Sequence, residues 1–215
     1  MATAALPDWD VDSPRLRRNL ASVSGRILRD AQVRVTPSVT TAKAWHRRSM
    51  SGLAVPKQEY VGAFRGEPGL ERCGVEIDGK PGTMPWDVAD ELAAFEASLL
   101  GAVSALDAKY PDAASLDDDG MRAAIVLAAW AHSEWVRIHP FANGNGRTAR
   151  IWANLLLMRY GLPPAVALRP RPWGEYGAAG AAAMSGDRVP TIKILGELVK
   201  SAVSALPAGK KGKPP

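Results

Sequence analysis

Cysteine is almost absent from this chain, and histidine is scarce. The 215 residues include one cysteine, Cys73, and three histidines. A single cysteine cannot close an intramolecular disulfide, and so few thiols are typical of a protein from a reducing compartment. The scattered histidines lack the close spacing of zinc ligands. We therefore predict neither a disulfide-stabilised domain nor a zinc protein, and we interpret Cys73 as a bystander rather than a nucleophile.

The sequence also lacks a long apolar run. No stretch reaches the ~18 consecutive apolar residues that a membrane-spanning helix needs. The first residues show neither the basic region nor the long apolar region of a secretory signal. Apolar residues nevertheless make up 47% of the chain and charged residues 23%, which is typical of a globular protein with a hydrophobic core. We expect a cytoplasmic protein that makes no membrane contact.

The net positive charge of the chain is small when the C-terminal residues are not counted. The formal net charge is +5, but three lysines lie in the Pro- and Gly-rich segment 207–215, which is typical of a disordered basic tail. The pairs Arg17-Arg18 and Arg47-Arg48 are not interleaved with aromatic residues, so we interpret them as solvated faces. Nucleic acid is therefore not an expected partner.

Apolar residues recur at helical spacing along most of the chain. Ser13-Pro14 is a capping pair that predicts a helix to about residue 29, and the acidic cluster 117–119 caps another. The pattern predicts further helices over about 37–52, 86–110, 121–138, 145–160, 173–185 and 191–206. No internal repeat is present, and the indicated fold class is all-α.

Residues 61–84 break the helical pattern. The segment contains six glycines and two short runs, 61–65 and 74–77, and Asp78-Gly79 follows the second run as a turn signal. We predict a small, mobile β-hairpin flap here.

The most informative segment runs from His139 to Arg150 and reads H-P-F-A-N-G-N-G-R-T-A-R. It joins two helices that are apolar nearly all round and hence buried, and Arg147, Arg150 and Asn154 share one face of the second. Glu134 or an aspartate would pair with these arginines in a purely structural arrangement. A phosphate would pair with them in a functional one, aided by the glycine-flanked helix N-terminus. His139 titrates near neutrality and can act as a general base.

This segment resembles the signature of the Fic domain family, H-x-F-x-[D/E]-[G/A]-N-[G/K]-R-x-x-R. The chain matches it at His139, Phe141, Gly144, Asn145, Gly146, Arg147 and Arg150. Weaker similarity at residues 64–66, 134–138 and 176–190 extends the resemblance over about 37–205. It implies a Fic-like helical bundle with a hairpin flap at about 61–84, occupying residues 37–206 after a helical extension at 1–36.

The resemblance also implies a protein adenylyltransferase, which moves AMP from ATP to a Ser, Thr or Tyr hydroxyl of a target protein. His139 would deprotonate that hydroxyl, and Phe141 would anchor the loop in the core. The remaining matched residues would bind phosphate: Gly144, Asn145 and Gly146 as an anion hole, with Arg147 and Arg150 at the β- and γ-phosphates. The glycine at 146 resembles the adenylylating members rather than the kinase-like Doc branch.

The flap would dock the target protein as an added strand. By resemblance, Phe64, Arg65 and Gly66 belong to this docking surface.

Asn143 departs from the signature, which has an acidic residue there that holds Mg²⁺. An amide oxygen can ligate Mg²⁺ but brings no charge, so Asn143 is a weak metal ligand. We expect either Mg²⁺ held mostly by the phosphates of ATP, or a slow enzyme, or a different donor. The alternatives are a nucleotide-binding module of weak activity and a phosphotransferase on the same scaffold.

None of the nine glutamates is followed by Gly or Asn, so the inhibitory motif of many Fic proteins, [S/T]-x-x-x-E-[G/N], is absent. We expect constitutive competence, or inhibition by a separate antitoxin chain that would make this protein the toxin of a pair. A glutamate of this chain paired with Arg150 would contradict this expectation.

Several other residues have structural interpretations. We interpret His132 as a structural hydrogen-bonding residue rather than part of the site rim, and His46, beside Arg47-Arg48, as a surface residue. Trp130, Trp135 and Trp152 are predicted to pack in the core rather than stack on adenine.

Overall fold

The computed structural model describes Trp9 and residues 11–77, 79–172 and 174–205. Seven α-helices lie within these described ranges, together with one small sheet and three short 3-10 turns. The helices are α1 (Pro14–Gln32), α2 (Val39–Met50), α3 (Val88–Lys109), α4 (Asp118–Ile138), α5 (Asn145–Arg159), α6 (Tyr176–Ala183) and α7 (Val189–Ser204). The all-α prediction is confirmed. No helix in the described ranges has the length and apolar character needed to cross a membrane.

Local capping explains where several helices begin. The Ser13 hydroxyl accepts a hydrogen bond from the Leu16 amide at 3.1 Å, and Pro14 occupies the first turn of α1. The Asp117 carboxylate accepts from the Gly120 amide at 2.7 Å, which starts α4 three residues before the predicted position. These side chains satisfy amides that a helix N-terminus leaves without carbonyl partners.

Helices α4 and α5 form the centre of the core, and α1, α2, α3 and α7 pack around them. Trp135 and Trp152 are fully buried, and the Phe95 ring meets both edge-on at 5.5 and 5.6 Å. Trp130 is partly buried and stacks on Phe95. The prediction that these three tryptophans pack in the core is therefore confirmed.

A two-stranded antiparallel hairpin interrupts the helices, with β1 at Glu76–Ile77 and β2 at Lys80–Pro81. Asp78, between the two strands in the sequence, lies outside the described residues. The hairpin was predicted at this position, but the earlier run, 61–65, forms no strand. The backbone amide of Arg65 instead donates to the Pro140 carbonyl at 2.7 Å, a contact with the loop after α4 that local sequence does not signal. Trp173 and the predicted tail at 207–215 also lie outside the described residues.

Candidate functional site

A cavity of about 460 Å³ opens where α4 ends and α5 begins. The residues that line it come from the α4–α5 loop, the first turns of α5, the hairpin and the segment before α6: Val75, Glu76, His139, Ala142, Asn143, Gly144, Asn145, Gly146, Arg147, Arg150, Arg169 and Arg171. The structure thus brings His139, the glycine-flanked helix N-terminus and both signature arginines to one place.

His139 ends α4 in the left-handed conformation, with φ of +52°. This conformation is uncommon for a residue with a side chain and often marks a functional constraint. Its Nδ1 donates to the Val136 carbonyl at 3.1 Å, which leaves the lone pair on Nε2. Burial lowers the pKa of His139 to about 4, and the nearby Arg65 charge acts in the same direction. The imidazole is therefore neutral near pH 7 and able to accept a proton.

Arg65 fixes the backbone of the residues around His139. Its guanidinium donates to the carbonyls of His139 at 2.7 Å, Ile138 at 2.9 Å and Cys73 at 3.2 Å. Carbonyls at the end of a helix lack intrahelical donors and carry partial negative charge, so a cation there is favourable. Arg65 is a positioning residue for the loop that carries the histidine.

The assignment of Phe64 and Arg65 to an exposed docking surface is therefore wrong. Phe64 is 7% exposed and Arg65 2%, so neither side chain can contact an incoming protein. Gly66 is exposed, but its φ of +90° and the adjacent Pro85 carbonyl place it in a tight turn. In the hairpin, Glu76, Lys80 and Pro81 are exposed, and Ile77 is partly exposed.

Phe141 and Asn145 hold the loop itself. Phe141 is fully buried against Trp135 and Phe64, and its ring stacks on His46 with centroids 3.9 Å apart. The Asn145 side chain accepts from the Phe141 amide and donates to the Phe141 carbonyl, both at 2.8 Å. The Asn145 side chain thereby fixes both backbone groups of Phe141, and its own backbone N–H lies in the first turn of α5.

His46 is buried, and its interpretation as a surface residue is wrong. The Gly62 amide donates to its Nδ1 at 2.9 Å, so the proton lies on Nε2, which donates to the Asn143 carbonyl at 2.9 Å. Burial lowers the pKa of His46 to about 4. The sequence did contain a signal, because His46 shares a helical face with the buried Ala42 and Ser49. The exposed neighbours Arg47 and Arg48 concealed it.

Gly144 cannot carry a side chain without moving its neighbours. Its φ is +81°, and a Cβ would lie 2.9 Å from Met50 Cε and 3.1 Å from His46 Nε2. Glycine alone adopts this conformation at little cost. The close approach of α2 to the start of α5 therefore requires glycine at this position.

The two signature arginines are buried and face the cavity. Arg147 is 4% exposed and donates to the Trp9 carbonyl at 2.7 Å. Arg150 is 3% exposed and donates to the Leu168 carbonyl at 3.0 Å, while its Nε has no hydrogen-bond partner among the described residues. Burial lowers the pKa of Arg150, and the positive charges of Arg169 and Arg171 add to that effect, whereas Tyr176 opposes it.

Glu134 forms no ion pair with Arg150. Its carboxylate accepts from Arg137 at 2.9 Å and from Arg188 at 3.0 Å. Within the described part of the chain, no carboxylate forms an ion pair with Arg150. The Arg150 guanidinium contacts the Leu168 carbonyl and the Tyr176 side chain, both uncharged near neutral pH, so it retains capacity for an anionic ligand.

The surroundings of Asn143 do not fit a protein-held Mg²⁺. The Asn143 side-chain oxygen accepts from the Gly144 amide and from Arg147 Nη2, the latter at 3.3 Å. Its lone pairs thus face donors, one of them a cation. Among the described residues no three His, Cys, Asp or Glu side chains cluster as metal ligands. Glu76 is the one carboxylate among the described residues lining the cavity.

Arg169 and Arg171 were not singled out in the sequence. Their signal is the alternation Arg-Pro-Arg-Pro at 169–172, which places two cations on a stretch of restricted backbone. His132, by contrast, was interpreted correctly. It is buried, and its Nε2 lies 2.6 Å from the Tyr176 hydroxyl.

Comparison with known proteins identifies one family. The sequence profile of the Fic/DOC family matches residues 37–157. The protein adenylyltransferase fic-1 of Caenorhabditis elegans is 45% identical over 69 residues, which cover 32% of this chain and 13% of that protein. The chain thus spans a small part of the length of the curated relatives it matches.

Solved structures share the fold over most of the chain. A Fic domain containing signalling protein from Bacteroides thetaiotaomicron superposes with a TM-score of 0.63 at 22% identity, covering 100% of this chain and 78% of that one. BepC, a Bartonella tribocorum effector protein with bound AMPPNP, gives a TM-score of 0.58 at 17% identity and covers 92% of each chain.

Proposed function

The chain belongs to the Fic/DOC family, and we propose that it is a protein adenylyltransferase that moves AMP from ATP to a hydroxyl side chain of a target protein. One observation carries this proposal. A neutral histidine with an available lone pair lines the same cavity as two buried arginines and the start of a helix. A nucleotide bound in this cavity can therefore contact the general base and the phosphate-binding groups at the same time.

The proposed reaction is an in-line displacement at the α-phosphorus of ATP. The target hydroxyl oxygen forms a bond to this phosphorus, and the bond to the oxygen that bridges to the β-phosphate breaks. The hydroxyl proton passes to Nε2 of His139, and pyrophosphate leaves with the electron pair. Arg147, Arg150 and the amides at the start of α5 stabilise the charge on the phosphate oxygens. No step depends on Asn143 as a metal ligand.

The hairpin is the proposed docking site for the target. Its strands are exposed, and Val75 and Glu76 lie at the cavity wall beside His139. An extended segment of the target that pairs with this hairpin would bring its hydroxyl over the cavity. Backbone pairing selects an extended conformation, and the side chains around the cavity select among residues that carry a hydroxyl.

ATP is the donor to test first. BepC, whose fold this chain shares, was solved with AMPPNP, and the C. elegans relative is a protein adenylyltransferase. We place the catalytic unit at 37–206. We also propose that inhibition comes from a separate antitoxin chain, since Arg150 is not paired with a glutamate among the described residues.

Labelled ATP distinguishes the proposed activity from its alternatives. The full chain is incubated with a mixture of proteins that expose Ser, Thr and Tyr side chains, together with either [α-³²P]ATP or [γ-³²P]ATP. The variant His139→Ala is the inactive control. We expect protein labelling from the α position only, and its loss in the variant. Label from the γ position would indicate a phosphotransferase. ATP binding without protein labelling would indicate a module without turnover, and either result would contradict the proposal.

A surface variant serves as the matched control. Arg18 is exposed on α1 and lies outside the cavity lining, so Arg18→Gln removes one guanidinium without touching the site. Its labelling should equal that of the unmodified protein.

A further inference from the structure

We propose that Arg169 and Arg171 complete the phosphate site, so that four guanidinium groups, and no protein-held metal ion, neutralise the phosphate chain of the nucleotide. The proposal rests on the function proposed above, because it takes ATP as the ligand of the cavity. It adds two ligand-binding residues outside the signature segment and changes the expected metal requirement.

The four arginines reach the cavity from two separate parts of the chain. Arg147 and Arg150 come from α5, and Arg169 and Arg171 come from the segment between α5 and α6. Glu76 is the carboxylate among the described residues of the cavity lining. The positive charges of Arg169 and Arg171 are close enough to Arg150 to lower the pKa of its guanidinium.

The positive charges of Arg169 and Arg171 make the buried, ionised Arg150 costly unless an anion binds beside it. Arg150 is nearly completely buried, and like charges beside a buried group oppose its ionised form. Its Nε also lacks a hydrogen-bond partner among the described residues. A triphosphate relieves both costs, because its oxygens accept hydrogen bonds and its charge offsets the repulsion. A longer phosphate chain carries more negative charge and should therefore bind more tightly.

The same arrangement disfavours a metal ligand at residue 143. An acidic side chain there would contribute charge to a divalent cation, but the Asn143 oxygen accepts hydrogen bonds from Gly144 and Arg147 instead. A cation at this oxygen would have to displace the Arg147 guanidinium. Guanidinium groups supply hydrogen bonds as well as charge to phosphate oxygens. Arg169 and Arg171 therefore provide the neutralisation that a metal ion would otherwise supply.

Calorimetric titration of the full chain with AMP, ADP and ATP tests the proposal without reference to turnover. Each nucleotide is titrated once with excess EDTA and once with Mg²⁺. We expect affinity to rise from AMP to ADP to ATP in EDTA, and the Kd for ATP to change by less than about threefold when Mg²⁺ is added. ATP binding that is more than about tenfold tighter with Mg²⁺ would overturn the proposal.

Substitution of the added arginines gives the second measurement. Arg169→Gln and Arg171→Gln should each weaken ATP binding in EDTA by about tenfold and AMP binding much less. Arg18→Gln should leave both unchanged. Arg169 is half-buried and Arg171 exposed, and a circular dichroism melt of each variant confirms that it is folded. Equal losses for AMP and ATP, or no loss for either, would contradict the assignment.

The variant Asn143→Asp provides the third measurement. A carboxylate at 143 should make ATP binding depend on Mg²⁺, with a change of at least about tenfold between EDTA and Mg²⁺. An unchanged metal response would contradict the role given to Asn143. These results are separable from the proposed function. Metal-independent binding without AMP transfer would refute the adenylyltransferase alone, whereas AMP transfer with metal-dependent binding would refute the four-arginine site alone.

Discussion

The three histidines of this chain have lost the property for which histidine is usually singled out, titration near neutral pH. Burial holds the pKa of His46 and His139 at about 4 and that of His132 at about 3. Each is neutral where an exposed histidine would be partly charged. For His139 this means a base ready at pH 7, and for the other two it means intact hydrogen bonds in the core.

Stability should therefore fall as the pH falls below about 6.5. Between that pH and about 4, the histidines bind protons in the unfolded chain but remain neutral in the folded one. Protonation therefore favours the unfolded state. We expect the free energy of unfolding to drop by about 2 kcal/mol for each fully buried histidine between about pH 7 and pH 5. Urea unfolding at these pH values measures it. Constant stability over that range would show that the histidines titrate normally.

His46 should act as a positioning residue for the α4–α5 loop. His46→Ala leaves the Gly62 amide and the Asn143 carbonyl without partners, and each unsatisfied buried group costs about 1–3 kcal/mol. We expect a loss of stability together with weaker ATP binding. His46→Gln keeps one donor near Asn143 and should recover part of the binding. If both variants lose stability while ATP affinity stays unchanged, the contact does not shape the phosphate site.

At the scale of elements, the helices could be predicted from the sequence and the flap only in part. Helix starts depend on local contacts such as those of Ser13 and Asp117, and the periodicity of α4 and α5 reports their burial directly. The segment at 61–65 has no comparable local determinant. Its conformation is set by the buried Arg65 and by the bond to Pro140. The predictions for Arg65 and His46 were wrong because the positions of these residues depend on distant parts of the chain.

Lys80, on the second strand, should hold the hairpin against α6 and the residues that follow it. Lys80 Nζ donates to the Ser185 hydroxyl at 2.7 Å and to the Ala181 carbonyl at 3.2 Å. Lys80→Gln should speed amide hydrogen exchange across residues 75–82 and leave the melting temperature unchanged, because these contacts are exposed and contribute little to global stability. Lys109→Gln, on α3, serves as the control. Unchanged exchange at the hairpin would show that its position does not depend on Lys80.

At the scale of the whole molecule, α1 belongs to the packed core. Val23, Ile27 and Ala31 are buried in the main core, and Leu16 and Leu20 pack with Met50 and Leu53. Helix α1 lies directly against α5, the helix that carries both signature arginines. The N-terminal segment, predicted as a helical extension, therefore packs directly against the helix that carries the signature arginines.

A chain that begins at residue 37 should consequently be insoluble or strongly destabilised. Burial of a large apolar side chain stabilises by about 1.5–3 kcal/mol, and α1 buries Leu16, Leu20, Val23 and Ile27. Their sum is comparable with the roughly 5–15 kcal/mol of a typical domain. Ile27→Ala in the full chain should lose about 2–5 kcal/mol by itself. Thermal melts of the three proteins measure this series. A truncated chain as stable as the full one would show that residues 37–206 fold independently.

Arg65 links the hairpin region and His139 through one guanidinium. It holds the Cys73 carbonyl just before the hairpin and the carbonyls of Ile138 and His139 at the end of α4. A displacement of the hairpin is therefore transmitted to the backbone of His139, the general base of the proposed reaction. In the proposed reaction, a poorly matched target that displaces the hairpin would still bind but would meet a misaligned His139 imidazole. Discrimination among targets should then be expressed mainly in the rate of transfer, with correct and incorrect targets differing more in kcat than in affinity.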